Sequence, residues 1–141
     1  MRAGAALWLC AAAVFLLGHA PAQAEAGRLI CRFPERAGSL IMPEIVLSYD
    51  RAADRITVED KLILKLDGRP KQASLEELRS NRVVIRMIFT WRVDNIPVTT
   101  ARWGYMNFNL RVEPDGRAFI ETTPAYSGVG FKIQSARGRC S

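Results

Sequence analysis

Between Arg82 and Asp94 every odd position is apolar (Val83, Ile85, Met87, Phe89, Trp91 and Val93), while Arg82, Arg86, Thr90, Arg92 and Asp94 occupy even positions. A period of two sustained this far predicts a long strand with one buried face. Met106, Phe108, Leu110 and Val112 repeat the alternation against Asn107, Asn109, Arg111 and Glu113. Glu113-Pro114-Asp115-Gly116 then predicts a tight turn into a strand over 117–123, because proline presets φ at one corner and glycine accepts a positive φ at the next. Pro124 and Ser127-Gly128 punctuate the following link, after which Val129, Phe131 and Ile133 alternate with Lys132 and Gln134 as the last strand. The C-terminal half reads as an antiparallel meander.

The N-terminal half carries the same code less regularly. A short strand is expected over 28–33, and Ile45, Leu47 and Tyr49 form the apolar face of the next. Past the polar turn 50–54, Ile56, Val58, Leu62, Leu64 and Leu66 keep the even register with Asp60 as the single polar member. This predicts either one long strand with a charged interruption or two short ones meeting at a bulge or turn at Glu59-Asp60. On an otherwise apolar face Asp60 is the one possible buried acid, although a strand end or bulge that lets it reach water is the favoured expectation. Ser74-Leu75-Glu76-Glu77 fits a capping box, so a helix of one or two turns is expected there, before Ser80-Asn81.

Seven or eight short antiparallel strands, each with one apolar face, predict an all-β fold: a small lipocalin-like barrel, with a β-sandwich as the alternative. The cysteines favour the barrel. Cys31 and Cys140 bracket nearly all of the foldable chain, and a disulfide between them requires the first and last strands to lie side by side, as they do in a closed up-and-down barrel.

Compartment enters through the first 24 residues. Arg2 supplies a positive start, Ala5 to Leu17 an apolar run, and Ala22-Gln23-Ala24 a small-x-small cleavage site, with Ala20-Pro21-Ala22 as a second one ending at Ala22. The apolar run falls short of the roughly 20 residues that span a bilayer. Residues 1–24 are therefore expected to be a secretory signal and 25–141 a single β domain without a transmembrane span, periplasmic or secreted from a Gram-negative bacterium. Cys10 lies inside the apolar run after Leu9, without the small residue that a lipobox needs, and reads as a passenger.

Charge and chemistry then narrow the function. The full chain carries a formal charge of +6, and arginine supplies most of it, lysine contributing only Lys61, Lys65, Lys71 and Lys132. Such a chain could attract phosphate-bearing envelope lipids or acidic glycans, although the basic residues are scattered and suit an ordinary solvated surface. They form no concentrated patch of the kind nucleic acid requires. His19 is the only histidine and departs with the signal, and a Cys31–Cys140 bond consumes the remaining thiols. The usual neutral-pH base, thiol nucleophile and zinc ligands are thereby missing, so no enzyme, metal or cofactor is expected.

Trp91 belongs to the core by parity. Trp103 and Tyr105 share parity with Asn107, Asn109 and Arg111, so a regular strand exposes them, whereas a bulge at Gly104 returns them to the core. Arg82, Arg86 and Arg92 line one polar strand face, and Arg111 is expected opposite them. These arginines could orient an anion through bidentate hydrogen bonds, or pair with Asp94, Glu113 or Glu121.

Cys31-Arg32-Phe33, Tyr49-Asp50, Val58-Glu59-Asp60, Thr90-Trp91-Arg92, Asp115-Gly116-Arg117-Ala118 and Gly138-Arg139-Cys140 together resemble small exported bacterial proteins of unknown function. Those proteins run from a Cys-x-hydrophobic start to a Gly-x-Cys end with a β meander between. The resemblance implies no activity, cofactor or catalytic residue. Two functions follow as expectations. One is a binding module taking an apolar or amphipathic ligand at the barrel mouth, with arginines orienting an anionic head. The other is an interaction or inhibitor domain of the cell envelope acting through its outer face at Trp103 and Tyr105. A barrel filled by Phe89, Phe108, Phe131 and the leucines favours the second.

Overall fold

A computed structural model of the chain describes residues 26–97, 103–124 and 132–141. The expected leader with its two candidate cleavage sites and Cys10, the side chain of Trp103, and Val129 and Phe131 lie outside them. Nine strands form one antiparallel sheet: β1 (Ala26–Arg32), β2 (Glu44–Asp50), β3 (Arg55–Asp60), β4 (Lys71–Gln72), β5 (Ser74–Ser80), β6 (Val83–Pro97), β7 (Trp103–Val112), β8 (Arg117–Pro124) and β9 (Gln134–Cys140). A helix, α1 (Lys61–Asp67), interrupts them after β3. The strand order β4-β3-β2-β1-β9-β8-β7-β6-β5 puts the first strand beside the last and the consecutive strands β4 and β5 at the two ends. The sheet is thus a nearly closed barrel, the architecture favoured over a sandwich by the cysteine bracket, with nine strands where seven or eight were expected.

The expected disulfide is present. Cys31 and Cys140 face each other across β1 and β9 with α-carbons 3.9 Å apart. The ladder there is short: Cys31↔Cys140 and Arg32↔Arg139 are the register pairs, and Ile30 and Ser141 add reciprocal backbone hydrogen bonds at 2.9 and 3.1 Å. Gly138 lets β9 approach, since a Cβ there would stand 2.1 Å from the Arg32 carbonyl oxygen. On the other side of the barrel, β4 pairs with β3 only through Thr57↔Gln72 and Val58↔Lys71, extended one step by the Ala73 N–H donating to the Ile56 carbonyl at 2.9 Å. The same extended run then pairs with β6 from Ser74↔Thr90 onward. One stretch of chain, 71–80, serves both open edges.

Two expectations about local structure are corrected. Residues 74–80 are strand β5, not a capped helix, and 61–67 are helix, not strand. For 61–67 the caps decide. Asp60 Oδ1 accepts from the Ile63 N–H at 2.8 Å, and Gly68, at φ 69°, donates its N–H to the Leu64 carbonyl at 3.0 Å. These satisfy both ends of the helix and override an alternation that Leu64, 45% exposed, does not use. For 74–80 the edge of β6 decides, because its amides and carbonyls need partners more than a two-turn helix needs its cap. The last strand is corrected as well: β9 begins at Gln134, and Ile133 is exposed ahead of it.

The core follows the predicted parity except at the start of β6, where Val83 and Ile85, expected on the buried face, are 62% and 45% exposed because β6 there runs past its last pair with β7, Met87↔Val112. Ile45, Leu47, Val58, Phe89, Val93, Met106, Leu110 and Ile120 are fully buried. Trp91, as expected, is buried, stacked on Phe108 with centroids 5.2 Å apart. Ile63 of α1 joins this cluster, and the helix packs on β3 and β6. The favoured expectation for Asp60 is corrected: it does sit at the end of β3, but it is 5% exposed and does not reach water, because it turns inward to cap α1. Burial pushes its carboxyl above the ordinary range, and the Ile63 and Leu62 amides hold it partly back.

Candidate functional site: an arginine groove on the outer face

Because side chains alternate, the residues that do not fill the barrel form rows across its outside. One row runs Ile88, Arg111, Phe119, Arg137 over β6, β7, β8 and β9. The Arg117↔Arg139 pair of β8 and β9 lies in the adjacent row, one step nearer the β7–β8 turn. Arg86 and Glu113 complete that row, joined by hydrogen bonds of 2.8 Å. Between them the two rows line a groove of about 790 Å³ with five arginines (Arg86, Arg111, Arg117, Arg137 and Arg139), Glu113, Phe119, Ala118 and Gly138.

The five guanidinium groups are not equivalent. Arg86 is neutralised by Glu113. Arg117 pairs with Asp115 at 2.6 Å, and Arg139 donates to the Asp115 carbonyl at 3.0 Å. The Arg117 backbone N–H, aided by the Arg117 and Arg139 charges, holds the Asp115 carboxyl below the ordinary range. Arg111 instead lies over the Phe119 ring, 5.7 Å from its centroid. Among the described residues, no carboxylate forms an ion pair with Arg111 or Arg137. These two cations flank one aromatic ring on three successive strands, whose spacing puts the outer strands about 10 Å apart. An anion entering the row would meet preplaced donors above an apolar floor.

Of the arginines expected to act together, the structure brings Arg86 and Arg111 to this groove and separates the other two. Arg92 belongs to a different cluster, bonded to Asp94 at 2.6 Å and stacked 3.4 Å above the Tyr105 ring. Arg82 is not on the strand face but in the β5–β6 turn, at φ 67°. Tyr105 keeps the outer parity. The extra residue that could have reversed it lies in β6, where the register shifts between Val93 and Ile96 and Asn95 takes φ 58°. Arg117, Phe119, Arg137 and Arg139 were missed. Arg137-Gly138-Arg139 held the signal, small residues alternating with arginine, but placing the last strand too early left it outside any pattern.

The barrel axis itself is occupied: Phe89, Phe108, Met106, Leu110 and Ile120 are at most 1% exposed. A smaller pocket of about 270 Å³ opens at the barrel end, lined by Tyr49, Arg51, Val84, Arg86, Met87, Val112 and Pro114. Arg86 borders both this pocket and the groove. Among the described residues no group of three His, Cys, Asp or Glu side chains could hold a metal ion, and no helix is long and apolar enough to cross a membrane. No family model, curated protein or solved structure matches this chain.

Proposed function

We propose that the protein is an exported binding module that recognises an anionic group, phosphate or carboxylate, in the arginine groove of β6 to β9. The observation that carries this reading is the pair Arg111 and Arg137 on either side of Phe119, two cations that form no ion pair with a carboxylate among the described residues. The side chains filling the axis move the ligand from the interior, where a carrier would hold it, to the outer face. Export is supported by the N-terminal signal pattern and by a disulfide, which persists in oxidising compartments. Binding is favoured over catalysis because the chain beyond the leader has no histidine and both its cysteines are bonded.

Titration with inorganic pyrophosphate, followed by backbone amide shifts, tests the reading. Shifts should concentrate on Arg111, Phe119 and Arg137 and weaken as salt rises. Arg111→Ala with Arg137→Ala should reduce affinity by about tenfold or more, since each charged hydrogen bond contributes about 1.5–3 kcal/mol. Both side chains are exposed, so the fold should survive. Unchanged binding in the double variant would rule out the groove.

A further inference from the structure

The β5–β6 hairpin reaches beyond the barrel. The β6–β7 register stops at Met87↔Val112, so Val83 to Arg86 extend about 13 Å past it. Of the large apolar side chains exposed among the described residues, three sit on this hairpin: Val83 at 62%, Ile85 at 45% and Leu78 at 36%. Arg79, Arg82 and Arg86 alternate with them, and from Leu78 to Val93 the chain has no acidic residue. Asn81 and Arg82 form the turn with φ of 49° and 67°. A left-handed conformation is unfavourable for a long side chain, yet it is the tight two-residue turn that matches strand twist and holds the hairpin as a firm projection.

Exposed β-branched residues gain nothing from water, and among the described residues no neighbouring element covers Val83 or Ile85. What they adjoin is informative: Arg86 at the hairpin base also lines the arginine groove and the end pocket. Apolar tip and basic face together match a surface that is apolar beneath a layer of phosphates. A soluble anion would use the groove and leave Val83 and Ile85 bare. A protein partner would require acidic complementarity and an apolar recess at once.

We infer that this end of the barrel docks on an anionic phospholipid surface, Val83 and Ile85 entering the boundary between headgroups and chains while Arg82, Arg86 and the groove arginines face the phosphates. The inference rests on the groove reading and names its partner. Apolar elements at such surfaces sink about 5–10 Å, within the reach of the projection. Each arginine near an anionic leaflet that forms no ion pair among the described residues, as Arg111 and Arg137 do not, should contribute about fivefold to partitioning.

Co-sedimentation with vesicles of phosphatidylglycerol and phosphatidylcholine, about 1:3, tests this against vesicles of phosphatidylcholine alone. The wild-type protein should sediment with the anionic vesicles and remain in solution with the neutral ones. Val83→Ser with Ile85→Ser should weaken sedimentation by about tenfold while leaving pyrophosphate binding in the groove unchanged. Arg111→Ala with Arg137→Ala should weaken both. If the wild-type protein stays in solution with anionic vesicles while pyrophosphate still titrates the groove, docking is overturned and the groove serves a soluble anion. Sedimentation that ignores the Val83/Ile85 replacement overturns docking through the hairpin. Vesicle binding that persists when pyrophosphate fails to bind removes the small-anion site and leaves the hairpin surface standing.

Discussion

The barrel closes at two places by different means. Where β1 meets β9 the ladder is only two register pairs long, and the Cys31–Cys140 bond is set into it. Where β4 hands over to β5 the ladder to β3 is equally short, and ion pairs reinforce it instead. Arg51, in the β2–β3 turn, reaches across to Glu77 of β5, which also accepts from Arg79 at 2.5 Å. Lys71 of β4 binds Asp67 of α1 at 2.7 Å and Asp94 of β6 at 3.6 Å. The difference follows from chain connectivity. The β1–β9 closure joins residues 109 apart in sequence, so a covalent link there removes much unfolded-state freedom. At the other closure β4 and β5 are already linked through Ala73, so only the register remains to be held, and side chains suffice.

Replacing Cys31 and Cys140 together by Ser should therefore have the largest effect, about 4–5 kcal/mol in urea unfolding, because the closed loop is long. Should this double variant lose less than Glu77→Gln, the ranking of the closures would be reversed. Gly138→Ala attacks the same closure sterically, through the Arg32 carbonyl, and should lower stability by about 2–3 kcal/mol with the disulfide intact.

Glu77→Gln probes the ionic closure and should lose about 1–2 kcal/mol near neutral pH. Burial tends to raise the Glu77 carboxyl, but the hydrogen bonds from Arg51 and Arg79 outweigh it and hold it below the ordinary range. A depressed value means that this stabilisation is complete above the ordinary carboxylate range and fades as pH falls through the folded value. Stability profiles of wild type and variant should accordingly converge in acid. Asp60, which caps the helix beside this closure, has the opposite sign. Its carboxyl is raised, so its contribution is greatest in acid and is lost as pH rises through the folded value. Asp60→Asn keeps a capping oxygen and removes the buried charge, so it should leave neutral-pH stability equal or better by up to about 1 kcal/mol. The smallest change is expected from Lys71→Met, about 0.5 kcal/mol, since its ion pairs are partly solvated.

Legibility in the sequence tracked how far an element's partners were decided locally. β7, β8 and β6 beyond Met87 were readable because long alternation fixes which face is buried, and Trp91 and Phe108 landed in the core accordingly, whereas Val83 and Ile85, on the same parity, lie past the last pair with β7 and are exposed. The region 60–80 was misread because two local signals competed with non-local ones. Leu62, Leu64 and Leu66 alternate like a strand, but Asp60 and Gly68 cap a helix; Ser74 and Glu77 resemble a capping box, but β6 needed an edge partner. At the site, Arg86 and Arg111 could be named from parity. Their neighbours Arg117, Phe119 and Arg137 could not, because rows across a sheet depend on the register of several strands at once.

By itself the sequence determined the alternation that makes the chain β, the turn at Glu113 to Gly116, and the two cysteines, Cys31 and Cys140, that bracket the strands. Each depends on neighbours within a few residues or on the mere presence of a residue type. The tertiary structure alone decided that five arginines share a groove, that Arg111 and Arg137 form no ion pair with a carboxylate among the described residues, and that Val83 and Ile85 project beyond the barrel. Those properties arise from stagger between strands, and stagger is set by summed packing and hydrogen bonding around the whole barrel rather than by any segment of it.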